Sequence, residues 1–494
     1  MGNMKELNQM KNFISILLFI AAAMISCEKE KEILQPEYKA VMAPGVNALT
    51  FVNGVAGTNI NQGDILAVFS TASNTEQTFP YTIQGNFAKS SQIIVKQKKS
   101  SLSFPDYFLA YRFQSNYRQG IVSYSHEKRK ESEVGSTETF WTWDFTDLSS
   151  FPDLPSVQFT AILKAKGVYC DVYVDENSTH IDNGDAEEIA RQFDEVAYPV
   201  VTGQFGFPPV IEGSSRVAIL LPLAFNGGMD EELNPNGWAA GAFNYDDQLP
   251  PSIENPYSNY RNVLYLNPGL YNTSIPVFIE KWRPILSHEF HHLVNYRYFG
   301  ASESVPIDEG KALLAEILSG YGLPNGDYLM WDNVVAYQDN PSDISLLQMS
   351  MSDVNPLGTY GMGLLWICYL YDRFGSEAIY KMATYTSPGL DAAEAVTGIP
   401  KQHLFAEWLQ ANIVNGTVNN KIFEYKTIDV VGDGGGQFFG MLNGFAALPE
   451  HTIPGVETQH FVHSYGLEYF RADGPGEVII KGNNIKVFVI KKQN

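Results

Sequence analysis

The segment "SHEFHHLVNY", Ser287 to Tyr296, contains three of the nine histidines of this 494-residue chain within five positions. Three of its residues, His288, Glu289 and His292, form the pattern H-E-x-x-H. On a helix, residues four positions apart share one face and lie about 6 Å apart along the axis. Both imidazoles can therefore reach one metal ion, with Glu289 facing its open side. An amphipathic helix with a histidine-rich polar face is the alternative interpretation.

A catalytic zinc site also requires a third protein ligand and one open position. Four carboxylates follow the histidines in the chain, those of Glu303, Asp308, Glu309 and Glu316. Asp308 and Glu309 open the stretch "IDEGKALLAE", which predicts a second helix seventeen positions after His292. A loop of this length lets the second helix pack on the first and offer a carboxylate to the same ion. The helix dipole also favours acids at a helix start, but that does not explain their coincidence with H-E-x-x-H.

These two motifs resemble those of the gluzincin zinc metallopeptidases, which pair H-E-x-x-H with a downstream Asn-Glu-Gly-x-Ala helix. The likeness extends from about Lys166 to Gly416 and is greatest to the hyicolysin type. It implies a thermolysin-like α+β catalytic domain that binds one zinc ion. It also implies Glu289 as general base and three zinc ligands, His288, His292 and Glu309. Lys311 departs from the aromatic residue that is frequent in the aminopeptidases of this group.

Two further acids are expected to support the ligands. Glu316 lies seven positions after Glu309 and so on the same helical face. There it is placed to hold a ligating histidine by a hydrogen bond, and we assign Asp308 the same supporting role. His291 lies three positions after His288, but a ligand pair of these two would leave no residue in the general-base position. We therefore expect His291 beside the site.

The candidate for stabilising the oxyanion is Tyr360, in "GTYGMGLLWICYLY". It stands before Gly363 as in the Tyr-x-x-Gly helix start of the aminopeptidase N group, and a phenol can donate a hydrogen bond without carrying charge. A tyrosine that packs at a helix start is the alternative. Two histidines, His403 and His463, are rivals because thermolysin uses a histidine for this role. The segment "GWAAGAFNYDD" is the candidate edge strand for pairing with a peptide substrate.

The pattern along the chain predicts a multidomain α+β protein. Short β-like runs separated by turn residues indicate an antiparallel β domain at 41–165. A mainly helical stretch with a few strands follows, which we assign as the metallopeptidase domain at 166–420. Beyond it, 421–494 returns to β character. Cys170 and Cys368 lie in apolar contexts and are expected to be buried, with a single disulfide left open.

The N-terminus predicts export. Lys5 and Lys11 precede the apolar run "FISILLFIAAAM", which is too short to span a bilayer comfortably and is typical of a secretory signal. The following "MISC" resembles a bacterial lipobox, which implies that 1–27 contains a lipoprotein signal peptide and that Cys27 is lipidated. A plain signal peptide with an incidental cysteine is the alternative. The charged stretch 28–40 is expected to be a tether that holds the domains off the membrane.

The chain is acidic, with a formal net charge of −22, which argues against nucleic-acid binding. The leading hypothesis is a lipid-anchored zinc endopeptidase of the bacterial cell envelope that acts on extracellular protein or peptide. Two other functions stay open: a binding or adhesion lipoprotein with a degenerate peptidase domain, and an aminopeptidase. The acidic segment "MDEELNPNG" at Met229 to Gly237 also allows a structural Ca²⁺ ion. The sequence does not indicate an oligomeric state.

Overall fold

The computed structural model describes residues 40–72, 77–87, 132–146, 154–234, 238–275, 280–322, 356–415, 420–428 and 451–491, with a few positions between 330 and 347. The chain divides after Ala40, and Val41–Asn494 forms one unit. The apolar run, Cys27 and the predicted tether up to residue 39 lie outside the described residues. Within the described residues, no helix is long and apolar enough to cross a membrane.

Two facing sheets form a β-sandwich from both ends of the chain. The five-stranded sheet has the order β1, β15, β3, β13, β11, and the four-stranded sheet the order β12, β4, β14, β2. Their N-terminal strands are β1 Val46–Ala48, β2 Val55–Ile60, β3 Ile65–Phe69 and β4 Thr78–Phe87. The C-terminal strands are β11 His451–Thr452, β12 Thr458–His463, β13 Leu467–Arg471, β14 Gly476–Gly482 and β15 Lys486–Ile490.

The sandwich has one apolar core to which both ends of the chain contribute. Leu66 and Val68 of β3 pack with Val478 and Ile480 of β14. The alternation of exposed and buried residues along β4 is what a strand with one solvated face requires. Strands β1–β4 of the predicted β region at 41–165 and β11–β15 of the predicted region at 421–494 are therefore joined in one sandwich. Local strand patterns carry no information about a pairing partner some 400 residues away.

A six-stranded sheet with the order β5, β6, β7, β8, β10, β9 lies in the central part of the chain. Its strands are β5 Thr137–Trp143, β6 Ser156–Lys166, β7 Cys170–Asp175, β8 Val217–Leu221, β9 Gly241–Ala242 and β10 Asn262–Leu266. The strands β7, β8 and β10 are parallel and buried along their whole length, as the apolar runs of covered parallel strands predict. The strands β5 and β6 belong to this central sheet although they lie almost entirely before residue 165. The boundary predicted there, between the β domain and the metallopeptidase domain, therefore does not coincide with the boundary between the sheets.

The α-helices of the described residues follow the order of the chain. They are α1 Asn183–Gln192, α2 Tyr198–Phe205, α3 Pro268–Tyr271, α4 Trp282–Phe299, α5 Val305–Glu316, α6 Pro356–Phe374, α7 Ser376–Ala383, α8 Gly389–Thr397 and α9 Lys401–Val414. A capping box between Asp182 and Asp185 starts α1. The helix α4 begins two residues before Pro284, a position that tolerates proline.

Two glycines bring α5 and α6 into close contact. A methyl group on Gly363 would lie 1.7 Å from the backbone oxygen of Pro306, and one on Gly310 would lie 2.3 Å from the backbone oxygen of Gly363. No larger residue fits at either position without separating the helices. Since Gly310 directly follows Glu309, this contact sets the position of the predicted ligand helix.

The helix α9 packs on the β-sandwich. Tyr469 of β13 donates a hydrogen bond from its hydroxyl group to the backbone oxygen of Leu409 at 2.9 Å. The ring of Phe405 lies 5.4 Å from that of Tyr465 and 6.2 Å from that of Phe69. The sandwich therefore supports the helical part of the molecule from one side.

Cys170 and Cys368 are both buried and free, and form no disulfide.

Candidate metal centre

The helix α4 passes through the interior, and every residue from Pro284 to Tyr296 is buried. This explains why its apolar periodicity is weak: it has no solvent face on which polar residues could segregate. Its buried polar residues therefore need partners within the protein. The partners of His288 and His292 are carboxylates on α5.

Three side-chain atoms converge at one point. His288 Nε2 lies 3.2 Å and His292 Nε2 lies 3.4 Å from the same oxygen, Oε2 of Glu309. None of the three atoms has a hydrogen bond of acceptable geometry within the described residues. Ligands held 2.0–2.1 Å from a tetrahedral Zn²⁺ lie about 3.3 Å from each other. The observed spacing therefore fits a single tetrahedral ion better than a hydrogen-bonded cluster.

The far sides of both imidazoles face carboxylates of α5. His288 Nδ1–H donates to Glu316 Oε1 at 2.6 Å, and His292 Nδ1 lies 3.1 Å from Asp308 Oδ2. Histidines that bind metals commonly have such a partner, which fixes the ring and leaves Nε2 free for the ion. Asp308 is held in turn by Asn295, whose Nδ2 donates to Asp308 Oδ1 at 2.6 Å.

The electrostatics of this cluster also favour a cation. Burial lowers the pKa of His292, but Asp308 and Glu309 outweigh this and raise it to about 10. Burial raises the pKa of Glu309, but His292 and His288 outweigh this and lower it. The carboxylates therefore attract positive charge onto the two rings. A divalent ion bound at the Nε2 atoms brings that charge, so the donor set fits zinc.

Glu289 is 1% exposed, and neither of its carboxylate oxygens has a hydrogen bond within the described residues. Burial raises its pKa to about 7, against the opposing effect of His288 and His292. Its side chain lies against β9, because a Cβ atom on Gly241 would be 3.2 Å from Glu289 Cγ. Within the segment predicted as the substrate strand, Gly241–Ala242 forms β9, the edge of the six-stranded sheet next to Glu289.

Tyr360 lies in the first turns of α6 and is 8% exposed. It precedes Gly363 by three residues and so shares the helix face that contacts α5 at Gly310. This places Tyr360 on the side of α6 toward the ligand helix. The rival His403 lies in α9 and the rival His463 in β12, and neither belongs to a metal-ligand group among the described residues.

His291 is fully buried, and its ring edge contacts Phe205 with the centroids 4.7 Å apart. Its Nδ1 lies 3.8 Å from Asp308 Oδ1, too far for a hydrogen bond. Burial lowers the pKa of His291 well below its usual value, against the effect of Asp308. It forms a second group with His292 and Asp308 whose atoms are close enough for a metal. However, Asn295 already occupies one oxygen of Asp308 in that group.

Lys311 has a structural role that its departure from the aminopeptidase pattern did not suggest. Its ammonium group pairs with Glu303 Oε2, and both side chains are nearly fully buried. The same ammonium lies 4.8 Å from the ring centre of Phe299, at the end of α4. Lys311 therefore ties the end of α4 and the turn after it to α5, two residues beyond Glu309.

The sequence motifs did not predict the roles of Asn295 or of the Glu303–Lys311 pair. Asn295 lies three positions after His292, and its helical spacing is a signal that could have been used. The contact between Glu303 and Lys311 depends on how the turn between the helices folds back. The calcium ion that the acidic segment allowed has no support: Asp230 accepts a hydrogen bond from the backbone of Thr179, and the described part of Met229 to Gly237 contains no metal-ligand group.

The chain matches no protein-family model and no curated protein. Among solved structures, it is similar to an M1 zinc metallopeptidase from Deinococcus radiodurans, with 13% identity, a TM-score of 0.30, and coverage of 56% of this chain and 60% of that chain. For a mutant of that enzyme bound to a Tyr-Ser-Ala substrate, the identity is 14% and the TM-score 0.30, and the match covers 55% of this chain and 61% of that chain. For yeast LTA4 hydrolase in complex with bestatin, the identity is 10% and the TM-score 0.31, and the match covers 78% of this chain and 71% of that chain. The chain thus spans about three fifths of the Deinococcus proteins.

Proposed function

We propose that this protein is a zinc-dependent peptidase. One observation carries the proposal: the Nε2 atoms of His288 and His292 meet Glu309 Oε2 at 3.2 and 3.4 Å, while the opposite nitrogens face carboxylates. The three atoms would form the set of zinc ligands, and the carboxylates on the opposite nitrogens would hold the two imidazoles in place. Glu289 lies buried beside these ligands. A histidine-rich structural helix would not require this arrangement.

His288, His292 and Glu309 would hold the zinc ion, with Glu316 and Asp308 orienting the two imidazoles. When bound, zinc supplies Lewis-acid polarisation of a substrate carbonyl and acidifies water. Glu289 then accepts a proton from the attacking water on a carboxylate oxygen and passes it to the leaving amine. Its oxygens, which have no hydrogen-bond partner within the described residues, and its pKa of about 7 suit a group that must both take and release a proton.

Two further parts of the chain would handle the substrate. The edge strand β9 has Gly241 next to Glu289, so a peptide paired to this edge would present its backbone to the general base. Tyr360 would donate a hydrogen bond from its hydroxyl to the oxyanion that forms on the carbonyl. The proposed role of Tyr360 rests on its position on the face of α6 toward Gly310.

We further propose an endopeptidase of the bacterial cell envelope, anchored by a lipid on Cys27 and acting on extracellular protein. This rests on the secretory signal and lipobox-like sequence at the N-terminus. An aminopeptidase requires an anchor for the free amine of its substrate. A peptide with a blocked N-terminus distinguishes the two, because only an endopeptidase cleaves it internally.

The test is to measure zinc content and hydrolysis together on the purified full chain. We expect about one zinc per chain and cleavage of casein that stops with a chelator and returns with zinc. Glu309→Gln should lower zinc affinity at least tenfold, whereas the matched exposed change Glu377→Gln should have no effect. A chain that binds no zinc, or cleavage that continues after zinc is removed, contradicts the proposal and favours the binding lipoprotein.

A further inference from the structure

A cavity of about 260 Å³ lies where the start of α5, the start of α8 and the β-sandwich meet. Its wall includes Glu303 and Ile307 from the ligand-helix region, Gly389 and Leu390 from α8, and Tyr465 from the sandwich. None of these residues belongs to the proposed metal centre. The cavity is slightly smaller than the usual range for ligand sites, which begins at about 300 Å³, and suits a molecule of the size of one amino acid.

Glu303 provides an unused acceptor in the wall. One of its oxygens, Oε2, is paired with Lys311, but Oε1 is buried and has no hydrogen-bond partner within the described residues. This Oε1 packs against Gly389, another residue of the cavity wall, 3.1 Å from where a Cβ atom of that residue would be. Since a buried carboxylate oxygen without a donor is costly, it favours a ligand that donates hydrogen bonds.

Tyr465 provides a second unused polar group. It is 1% exposed, and its hydroxyl has no hydrogen-bond partner within the described residues. Burial, together with Glu394 and Asp391, raises the pKa of Tyr465, so the hydroxyl stays protonated. It can therefore either donate to a ligand or accept from one.

The charges around the cavity favour a cation. The carboxylates of Glu303 and Asp391 belong to wall residues, and Glu394 lies beside the wall, where its Oε2 accepts from the backbone N–H of Lys401 at 3.1 Å. Two ammonium groups, those of Lys311 and Lys401, oppose these three carboxylates. This leaves one negative charge in excess. The rest of the wall includes the aliphatic side chains Ile307, Leu347, Pro388 and Leu390.

We propose that this cavity binds a small molecule with a primary ammonium group on a short aliphatic body. The ammonium provides three donors, which suit Glu303 Oε1 and the oxygen of Tyr465. Its aliphatic part packs on the apolar wall. An anion would meet the excess negative charge, and a neutral alcohol provides a single donor. This site is independent of the proposed peptidase activity.

The test is calorimetric titration of the full chain with n-butylammonium, n-butanol and butyrate at equal ionic strength. We expect saturable one-to-one binding of n-butylammonium, binding of n-butanol at least tenfold weaker, and no binding of butyrate. Alaninamide and putrescine serve as further probes. Stronger binding of alaninamide indicates a ligand derived from an amino acid, and stronger binding of putrescine indicates a polyamine.

Two variants locate the site. Leu390→Phe fills the cavity and Tyr465→Phe removes only the hydroxyl, so each should weaken n-butylammonium binding at least tenfold. The matched control Tyr257→Phe changes an exposed tyrosine and should bind as the wild type does. If n-butylammonium does not bind, binds no better than n-butanol, or binds both variants with wild-type affinity, the cavity holds only water and the proposal is overturned.

Discussion

Nδ1 of His288 lies 2.6 Å from Oε1 of Glu316. The opposite nitrogen of the same ring lies 3.2 Å from Oε2 of Glu309, seven residues earlier on α5. One helix thus both orients His288 and offers the carboxylate that would complete the proposed ligand set. The geometry of the proposed metal centre therefore depends on how α4 and α5 pack.

Glu289→Gln should abolish hydrolysis while leaving zinc in place. The amide has the size of the carboxylate but cannot accept the proton of water, so the rate should fall about 10²–10⁴-fold. Zinc content per chain and casein cleavage measure the two effects separately. Casein cleavage at the wild-type rate by this variant would show that Glu289 is not the general base.

Glu316→Gln should weaken zinc binding without removing a ligand. The side-chain amide cannot hold His288 Nδ1–H as firmly as a carboxylate, and losses of this kind typically cost 10–100-fold in metal affinity. Competition with a fluorescent zinc chelator measures the affinity. Glu377→Gln, an exposed change of the same chemistry, is the control, and equal affinities for both variants would count against the orienting role.

Tyr360→Phe tests the proposed oxyanion donor. If the hydroxyl donates to the oxyanion, kcat should fall about 10²–10³-fold, with KM and zinc content unchanged. Steady-state kinetics on a fluorogenic peptide measure kcat and KM. If instead the variant loses thermal stability and keeps its kcat, Tyr360 is a packing residue at the start of α6.

Gly363→Ala should disturb both the fold and the metal centre. The added methyl group would lie 1.7 Å from the backbone oxygen of Pro306 and would push α6 from α5. Overpacking of this kind costs about 1–3 kcal/mol or more, and zinc affinity should fall because Glu309 moves. Gly203→Ala, in α2 with no atom within 4 Å of the new methyl, should be stabilising by about 0.5–1 kcal/mol. Denaturant unfolding measures both, and equal effects of the two changes would contradict the steric argument.

Lys311→Met should lower the free energy of unfolding by about 3–5 kcal/mol, because it leaves the buried carboxylate of Glu303 without its partner. The double variant Lys311→Met, Glu303→Gln should recover much of that loss, since no unpaired charge remains. Chemical denaturation of the two single variants and the double variant measures the coupling. Additive losses would show that the two residues do not interact in the folded chain.

The sequence was sufficient to select four residues that the structure brings together: His288, His292, Glu309 and Glu316. The spacing of His288 and His292 on one helix, and of Glu309 and Glu316 on another, follows from helical periodicity, which is a local property. The burial of Cys170 likewise followed from its apolar surroundings.

Only the tertiary structure decided the rest. Strands from both ends of the chain form one sandwich, and β5 and β6 join the central sheet, because pairing partners depend on contacts that local patterns do not encode. The same holds for Asn295 on Asp308 and for Lys311 on Glu303, whose partners meet only after the turn between α4 and α5 folds. Helical period by itself determined which side chains share a face; the packing of two helices at Gly310 and Gly363 decided what those faces meet.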